Sequence, residues 1–210
     1  MKNKMLIFAT TALCLSPIAM GLMYYSKLPE QMAIHFDSVG NPNNYASKAF
    51  VVFGIPALMA LVNLVVHLVL DSDPKKAGSS PVMIAFGKWS IPAISVFLMP
   101  ITIFYSLGRN VNIATIVPIC VGLLFIAIGN YLPKCRQNYT VGIKLPWTLA
   151  SEENWRRTHR FGGVTFIISG VLMIAAGIWP LGSSGPIIAV LALTLLGPAI
   201  YSYSMYKKGI

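Results

Sequence analysis

Charge is scarce in this sequence. Of its 210 residues, 10% are Asp, Glu, Lys or Arg, and only six are acidic. A soluble domain carries about 25% charged residues, so too little polar surface remains to coat a water-soluble globule. A soluble enzyme, a nucleic-acid-binding globule and a disordered tail are thereby excluded, and no direct nucleic-acid partner is expected. The six acids (Glu30, Asp37, Asp71, Asp73, Glu152 and Glu153) all lie between or at the ends of apolar runs. Ion-coupled transport, which needs compensating charge inside hydrocarbon, finds no carboxylate there. Cysteine is equally sparse: Cys14, Cys120 and Cys135 have neither an even pairing nor metal-ligand spacing, which excludes a disulfide framework. No H-E-x-x-H and no glycine loop opening a helix is present, so neither a zinc protease nor a nucleotide site is indicated. No metal or other cofactor is implied.

What fills the chain instead is apolar. Hydrophobic residues make up 56% of it, and the mean hydropathy is +0.69. Runs of about 20 apolar residues, the length that crosses a bilayer core of about 30 Å as a helix, recur along the sequence. Six are expected: Met5–Tyr25, Ala49–Leu70, Val82–Leu107, Val111–Leu132, Gly163–Pro180 and Pro186–Tyr206. They do not alternate as barrel strands do, so the predicted fold is all-α, a polytopic membrane protein of six transmembrane helices. The first run is too long for a signal-peptide core and lacks a small-residue cleavage site, and it reads as a retained helix. With the N-terminus inside, thirteen of the sixteen Lys and Arg residues fall in cytoplasmic segments, which predicts an N-in, C-in topology.

Pro17, Pro56, Pro92, Pro100, Pro118 and Pro198 interrupt the spans, and small residues at Gly170, Ala175, Ala176 and Gly177 permit close helix approach. Asn63 and His67, four residues apart on one helical face, either line a polar cavity or hydrogen-bond between helices; Asn130 is the other polar residue near a span end. No internal repeat supports the inverted-repeat design of many transporters.

Two loops carry information. In the outer loop, Lys27–Lys48, alternation over Ala33–Asp37 predicts a short strand with Ile34 and Phe36 on one face and His35 and Asp37 on the other. Ser38–Asn44 is a turn cluster. A loop of this length is either functional or a structured cap over the helix ends. The inner loop holds six basic residues between Pro133 and Arg160. Ser151 is placed to N-cap a helix whose first turn carries Glu152 and Glu153. Trp155 and His159 share a face of that short amphipathic helix, and Trp147 and Trp155 are expected at the headgroup boundary.

The inner loop also resembles a known signature. Asn130-Tyr131-Leu132-Pro133-Lys134, Asn138-Tyr139, Gly142-Ile143-Lys144, Pro146-Trp147-Thr148-Leu149, Ser151-Glu152-Glu153, Trp155 and Thr158-His159-Arg160-Phe161-Gly162-Gly163 are similar to the SdpI family of bacterial membrane immunity proteins. Lys144 and Leu145 depart from the Arg-Thr that the family pattern carries. Leu28-Pro29-Glu30, Ile34-His35-Phe36, Gly40 and Ser47-Lys48 resemble the uncharacterised N-terminal module that often precedes the signature. The resemblance implies an N-terminal module over 1–107 with outer loop 27–48, and an SdpI-like module over 108–210 with inner loop 133–161. It also implies a protein of the bacterial cytoplasmic membrane, in contact with lipid, that protects the cell from a secreted toxic peptide. In the founding type such a protein also holds a transcriptional autorepressor at the membrane. On that resemblance Asn138, Gly142, Lys144, Pro146, Trp147, Thr148, Glu152, Trp155, His159 and Arg160 are candidate repressor contacts. Pro29, Glu30, His35, Phe36 and Asp37 are candidates to face the toxin. Two alternatives remain: a permease or efflux protein with a polar path near Asn63, His67 and Asn130, and a membrane enzyme using His35 with Asp37, or His159 with Glu152.

Overall fold

In the computed structural model of the chain, residues 2–74, 80–179 and 185–210 are described. Lys75 and Lys76, counted above among the inner charges, and Pro180, placed at the end of the fifth span, lie outside these segments. Among the described residues six helices are long and apolar enough to cross a membrane, as the sequence predicts. The chain divides into two compact units. The first comprises Met1–Asp71 and Ala85–Ile113, the second Ser72–Ile84 and Ala114–Ile210.

In the first unit the opening span is two helices, α1 (Lys2–Leu15) and α2 (Pro17–Tyr24). Pro17 has no N–H to offer Leu13, so the chain breaks there. The freed Leu13 carbonyl accepts instead from the Ser16 N–H (3.2 Å) and hydroxyl (2.8 Å), while the Ser95 hydroxyl donates to the Cys14 carbonyl at 2.8 Å. The outer loop is a hairpin of β1 (Gln31–Phe36) and β2 (Pro42–Ser47), paired antiparallel with Gln31 opposite Ser47 and Ala33 opposite Tyr45. The register slips between Ala33 and His35, so the simple alternation expected from the sequence is lost and Ile34 and His35 are both exposed. The reversal is also tighter than expected. It spans Asp37–Asn41 with Gly40 at φ +88°, and Pro42–Asn44 belong to β2. A five-residue π-helix (Phe50–Gly54) then leads into α3 (Ile55–Asp71), and α4 spans Pro81–Ser106. Leu28, Met32, Val51, Val52, Met99 and Ile103 form the buried cluster on which the hairpin base rests.

In the second unit α5 (Ile113–Tyr131), α6 (Pro146–Ala150), α7 (Glu152–Ile178) and α8 (Gly185–Lys207) follow in order. Glycines every seven residues bring α5 and α7 into backbone contact. A Cβ at Gly122 would lie 2.5 Å from the Gly170 carbonyl oxygen, and one at Gly170 would lie 2.5 Å from that of Gly122. Gly129 meets Gly163 in the same way at 2.7 Å, and Gly177 meets the Thr115 carbonyl at 2.9 Å. Without a hydrophobic driving force between helices in lipid, such close packing is what holds a pair together. The sequence points to Gly170 and Gly177; Gly163 is the third member, and Ala175 and Ala176 are half-buried beside the seam. The packing of α7 against α8 adds a hydroxyl pair, Thr194 to Ser169 at 2.8 Å.

Candidate functional site

The segment between α5 and α7 is a folded element built onto the first three turns of α7. At about 1.5 Å per residue, the 27 residues of α7 extend about 40 Å, more than a bilayer core requires. The charged turns 152–160 therefore extend the spanning part, and the inner-loop amphipathic helix is continuous with the fifth span. Ser151 caps it as expected, its hydroxyl accepting the Asn154 N–H at 3.2 Å. Glu153 pairs with Arg156 and Arg157 on the exposed side.

On the inward side Trp155 and His159 stack, ring centroids 4.0 Å apart. Trp155 is only 2% exposed, which overturns its expected place at the headgroup boundary. The 135–142 turn covers it, and its indole N–H is taken by the Cys135 carbonyl at 2.8 Å. His159 is fully buried with both ring nitrogens occupied. Nε2 accepts the Ile143 N–H at 3.0 Å, so the proton resides on Nδ1, which donates to the Trp155 carbonyl at 2.8 Å. This leaves no nitrogen for acid–base work with Glu152, which is exposed.

The turn above these rings is organised by Asn138. Its Oδ1 accepts the Thr140 and Val141 N–H groups (2.9 and 2.6 Å), and its amide donates to the Arg136 and Val141 carbonyls. Gly142 follows at φ +125°, and a Cβ there would collide with His159 Nε2 and reach Trp155 at 3.0 Å. Only glycine meets both demands. Thr148 caps the start of α6, its hydroxyl accepting the Leu145 N–H at 2.8 Å, and Gln137 donates to the Thr148 and Leu149 carbonyls at the far end. From the first inner loop, Asp73 accepts the Thr140 hydroxyl at 2.6 Å and the Tyr139 N–H at 3.1 Å. Burial pushes the Cys135 thiol pKa above its ordinary value, against an opposing hydrogen bond from Asn138.

The structure thus gathers Asn138, Gly142, Thr148, Trp155 and His159 into one interior. Lys144, Pro146, Glu152 and Arg160 stand exposed around it, and Trp147 is half-buried against Tyr203 and Tyr206, with ring centroids at 5.3 and 5.9 Å. Residues 134–202 of this chain match the SdpI/YfhL protein family. The SdpI/YfhL match starts at the loop just described and runs through α7 into α8; residues 12–60 match a domain of unknown function, DUF1648. Over 205 residues, 96% of each chain, the sequence is 27% identical to the Immunity protein SdpI of Bacillus subtilis (strain 168). No solved structure matches the chain. A multi-pass protein of the cell membrane, similar to the SdpI family, is what the six spans and the resemblance read from the sequence describe.

Several residues that build the SdpI/YfhL segment escape a reading of the sequence alone. Asp73 signals itself only as a carboxylate just beyond a span in a chain with few of them. Asn154 donates to the Ser202 and Ile210 carbonyls (3.1 and 3.0 Å) and accepts the Ser202 and Thr158 hydroxyls, fastening α7 to the end of α8. Among the outer candidates, Pro29, Glu30, His35 and Asp37 are exposed, and Phe36 packs edge-on against Tyr105 at 4.9 Å. Glu30 pairs with Lys48 at 2.8 Å. His35 Nδ1 lies 2.6 Å from Asn43 Oδ1, whereas the Asp37 carboxylate turns into its own loop to accept the Asn41 and Val39 N–H groups. The two side chains are thus committed to different partners. Among the described residues no cluster of three or more potential metal ligands occurs.

Proposed function

We propose that this chain is a non-enzymatic immunity protein of the bacterial cytoplasmic membrane, protecting its cell from a secreted toxic peptide. The observation that carries this reading is likeness along 96% of both chains to a protein whose name is Immunity protein SdpI. In the finer reading, residues 1–107 form an outward-facing module whose hairpin, with Pro29, Glu30, His35, Phe36 and Asp37, meets the toxin. Residues 108–210 form a module whose inner loop docks a transcriptional autorepressor. The buried Asn138, Thr148, Trp155 and His159, with Gly142, give that loop its shape, while exposed Lys144, Pro146, Glu152 and Arg160, with half-buried Trp147, supply the contacts. Arginine and tryptophan are common anchors in protein interfaces.

The test is complementation. The chain is expressed in Bacillus subtilis deleted for SdpI and challenged with the peptide toxin that SdpI counters. Survival is expected, and its absence despite membrane insertion rejects the immunity reading. Replacing 31–47 by a glycine-serine linker is expected to abolish protection. Reversing Lys144 and Arg160 to Glu is expected to spare protection while lowering the membrane-bound fraction of the autorepressor. Protection that survives loss of the hairpin removes the toxin contact from it.

A further inference from the structure

Inside the first unit, in the second half of the span Phe50–Asp71, the polar atoms do not all find partners. Asn63 and His67 are fully buried, on successive turns of α3, with Thr10 of α1 against both. In the span Phe50–Asp71, Asn63 lies about 12 Å and His67 about 6 Å along the helix from the Asp71 end. Its Nδ2 donates to the hydroxyls of Thr10 and Thr11, both at 3.1 Å. The Thr10 hydroxyl lies 2.9 Å from the Leu6 carbonyl and 3.1 Å from that of Ile7, the usual acceptors for a threonine inside a helix. With its proton on either carbonyl, Thr10 Oγ1 is an acceptor toward Asn63 and toward His67 Nε2, 3.0 Å away, an arrangement that assigns the imidazole proton to Nε2. Two atoms are left over, Asn63 Oδ1 and His67 Nδ1, both buried and neither with a protein partner.

Both leftovers are lone-pair acceptors. Side chains four apart on a helix lie about 5–6 Å from each other, a gap that one molecule with two donor hydrogens bridges. An unsatisfied polar group in hydrocarbon is costly, and a lipid tail has no donor to offer. A cationic donor would need a spare anion, whereas Asp71, the next residue on this face, already holds Lys88 at 2.8 Å. We propose that Asn63 Oδ1 and His67 Nδ1 form an internal hydration site in the membrane interior, holding an ordered water that donates to both. This site is separate from the loops of the immunity reading and stands or falls independently of it.

X-ray radiolytic footprinting of the full chain in lipid nanodiscs tests it, because a bound water generates hydroxyl radical where it sits. His67 is expected to be oxidised although 1% exposed, while Met32, at 0% exposure in an apolar cluster and with a more reactive thioether, is spared. In Asn63→Leu the His67 yield is expected to fall about tenfold, since an internal water needs at least two polar partners. An unmodified His67 beside a normally oxidised Tyr139, or equal yields in the two proteins, overturns the proposal. If Asn63→Leu does not fold, nitrogen-15 NMR of the unaltered chain decides. A protonated Nε2 with a hydrogen-bonded Nδ1 lone pair supports the site, and a proton on Nδ1 or a free lone pair there refutes it.

Discussion

Gly142→Ala should be among the most damaging single-methyl additions in the chain. The residue sits at φ +125°, where an L side chain is strained by about 1–3 kcal/mol. Its new methyl would also collide with the His159 ring edge and press on Trp155 at 3.0 Å, the two rings being stacked with centroids 4.0 Å apart. Moving the imidazole breaks the Ile143 N–H bond to Nε2 and strands buried polar atoms, a further loss of about 1–3 kcal/mol. Together these come to about 4 kcal/mol, a large share of the roughly 5–15 kcal/mol that holds a domain folded. The local assay is alkylation of Cys135, a buried thiol whose pKa burial raises and whose carbonyl holds Trp155. Its labelling rate in detergent at neutral pH should rise at least about a hundredfold, the factor that about 3 kcal/mol corresponds to. Gly108→Ala is the control: it also has positive φ (+72°), but nothing lies within 4 Å of its Cβ position. That variant should lose only about 1 kcal/mol from backbone strain. If Gly142→Ala labels no faster than Gly108→Ala, the assignment of Gly142 as the closing point of the loop is wrong.

Three further outcomes are expected. Gly122→Val or Gly170→Val should prevent accumulation of the folded protein in detergent by size-exclusion chromatography, whereas Gly197→Ala, with its nearest neighbours at 3.8 Å, should not; equal yields would remove the seam as a packing constraint. Asp73→Ala should destabilise the 138–141 turn by about 1–3 kcal/mol, read again as Cys135 labelling, and Asp73→Asn, which keeps an acceptor oxygen, should cost less. At the outer turn, hydrogen bonds from the Asn41 and Val39 amides hold the Asp37 carboxyl below its ordinary value. Its contribution is therefore complete above the usual carboxylate pKa of about 3.9 and is lost as the pH falls through the lowered value. A carbon-13 titration of Asp37 with a midpoint at or above the ordinary value would contradict the turn geometry.

The spans were legible because hydrocarbon imposes a length and a composition that few other environments do. The cap at Ser151 and the shared face of Trp155 and His159 followed from spacing along one helix. What escaped was everything set by chain segments distant in sequence. Trp155 has the makings of a headgroup anchor until Cys135 and Gly142 close over it, and no local pattern announces that cover. Asp73 is invisible as a turn organiser without Thr140, 67 residues away. A strand and a turn are readable in the outer loop, but the slip at Ile34, which decides what is exposed, depends on the partner strand. The seven-residue glycine spacing, by contrast, is written in the sequence across two spans and needs only to be read as a pair.

α7 runs without interruption from Glu152 to Ile178, whereas the first span is hinged at Pro17. One unbroken backbone therefore carries both the glycine seam against α5 and the stacked rings of Trp155 and His159, so a change in the packing of the seam and a change in the shape of the loop are changes to the same helix.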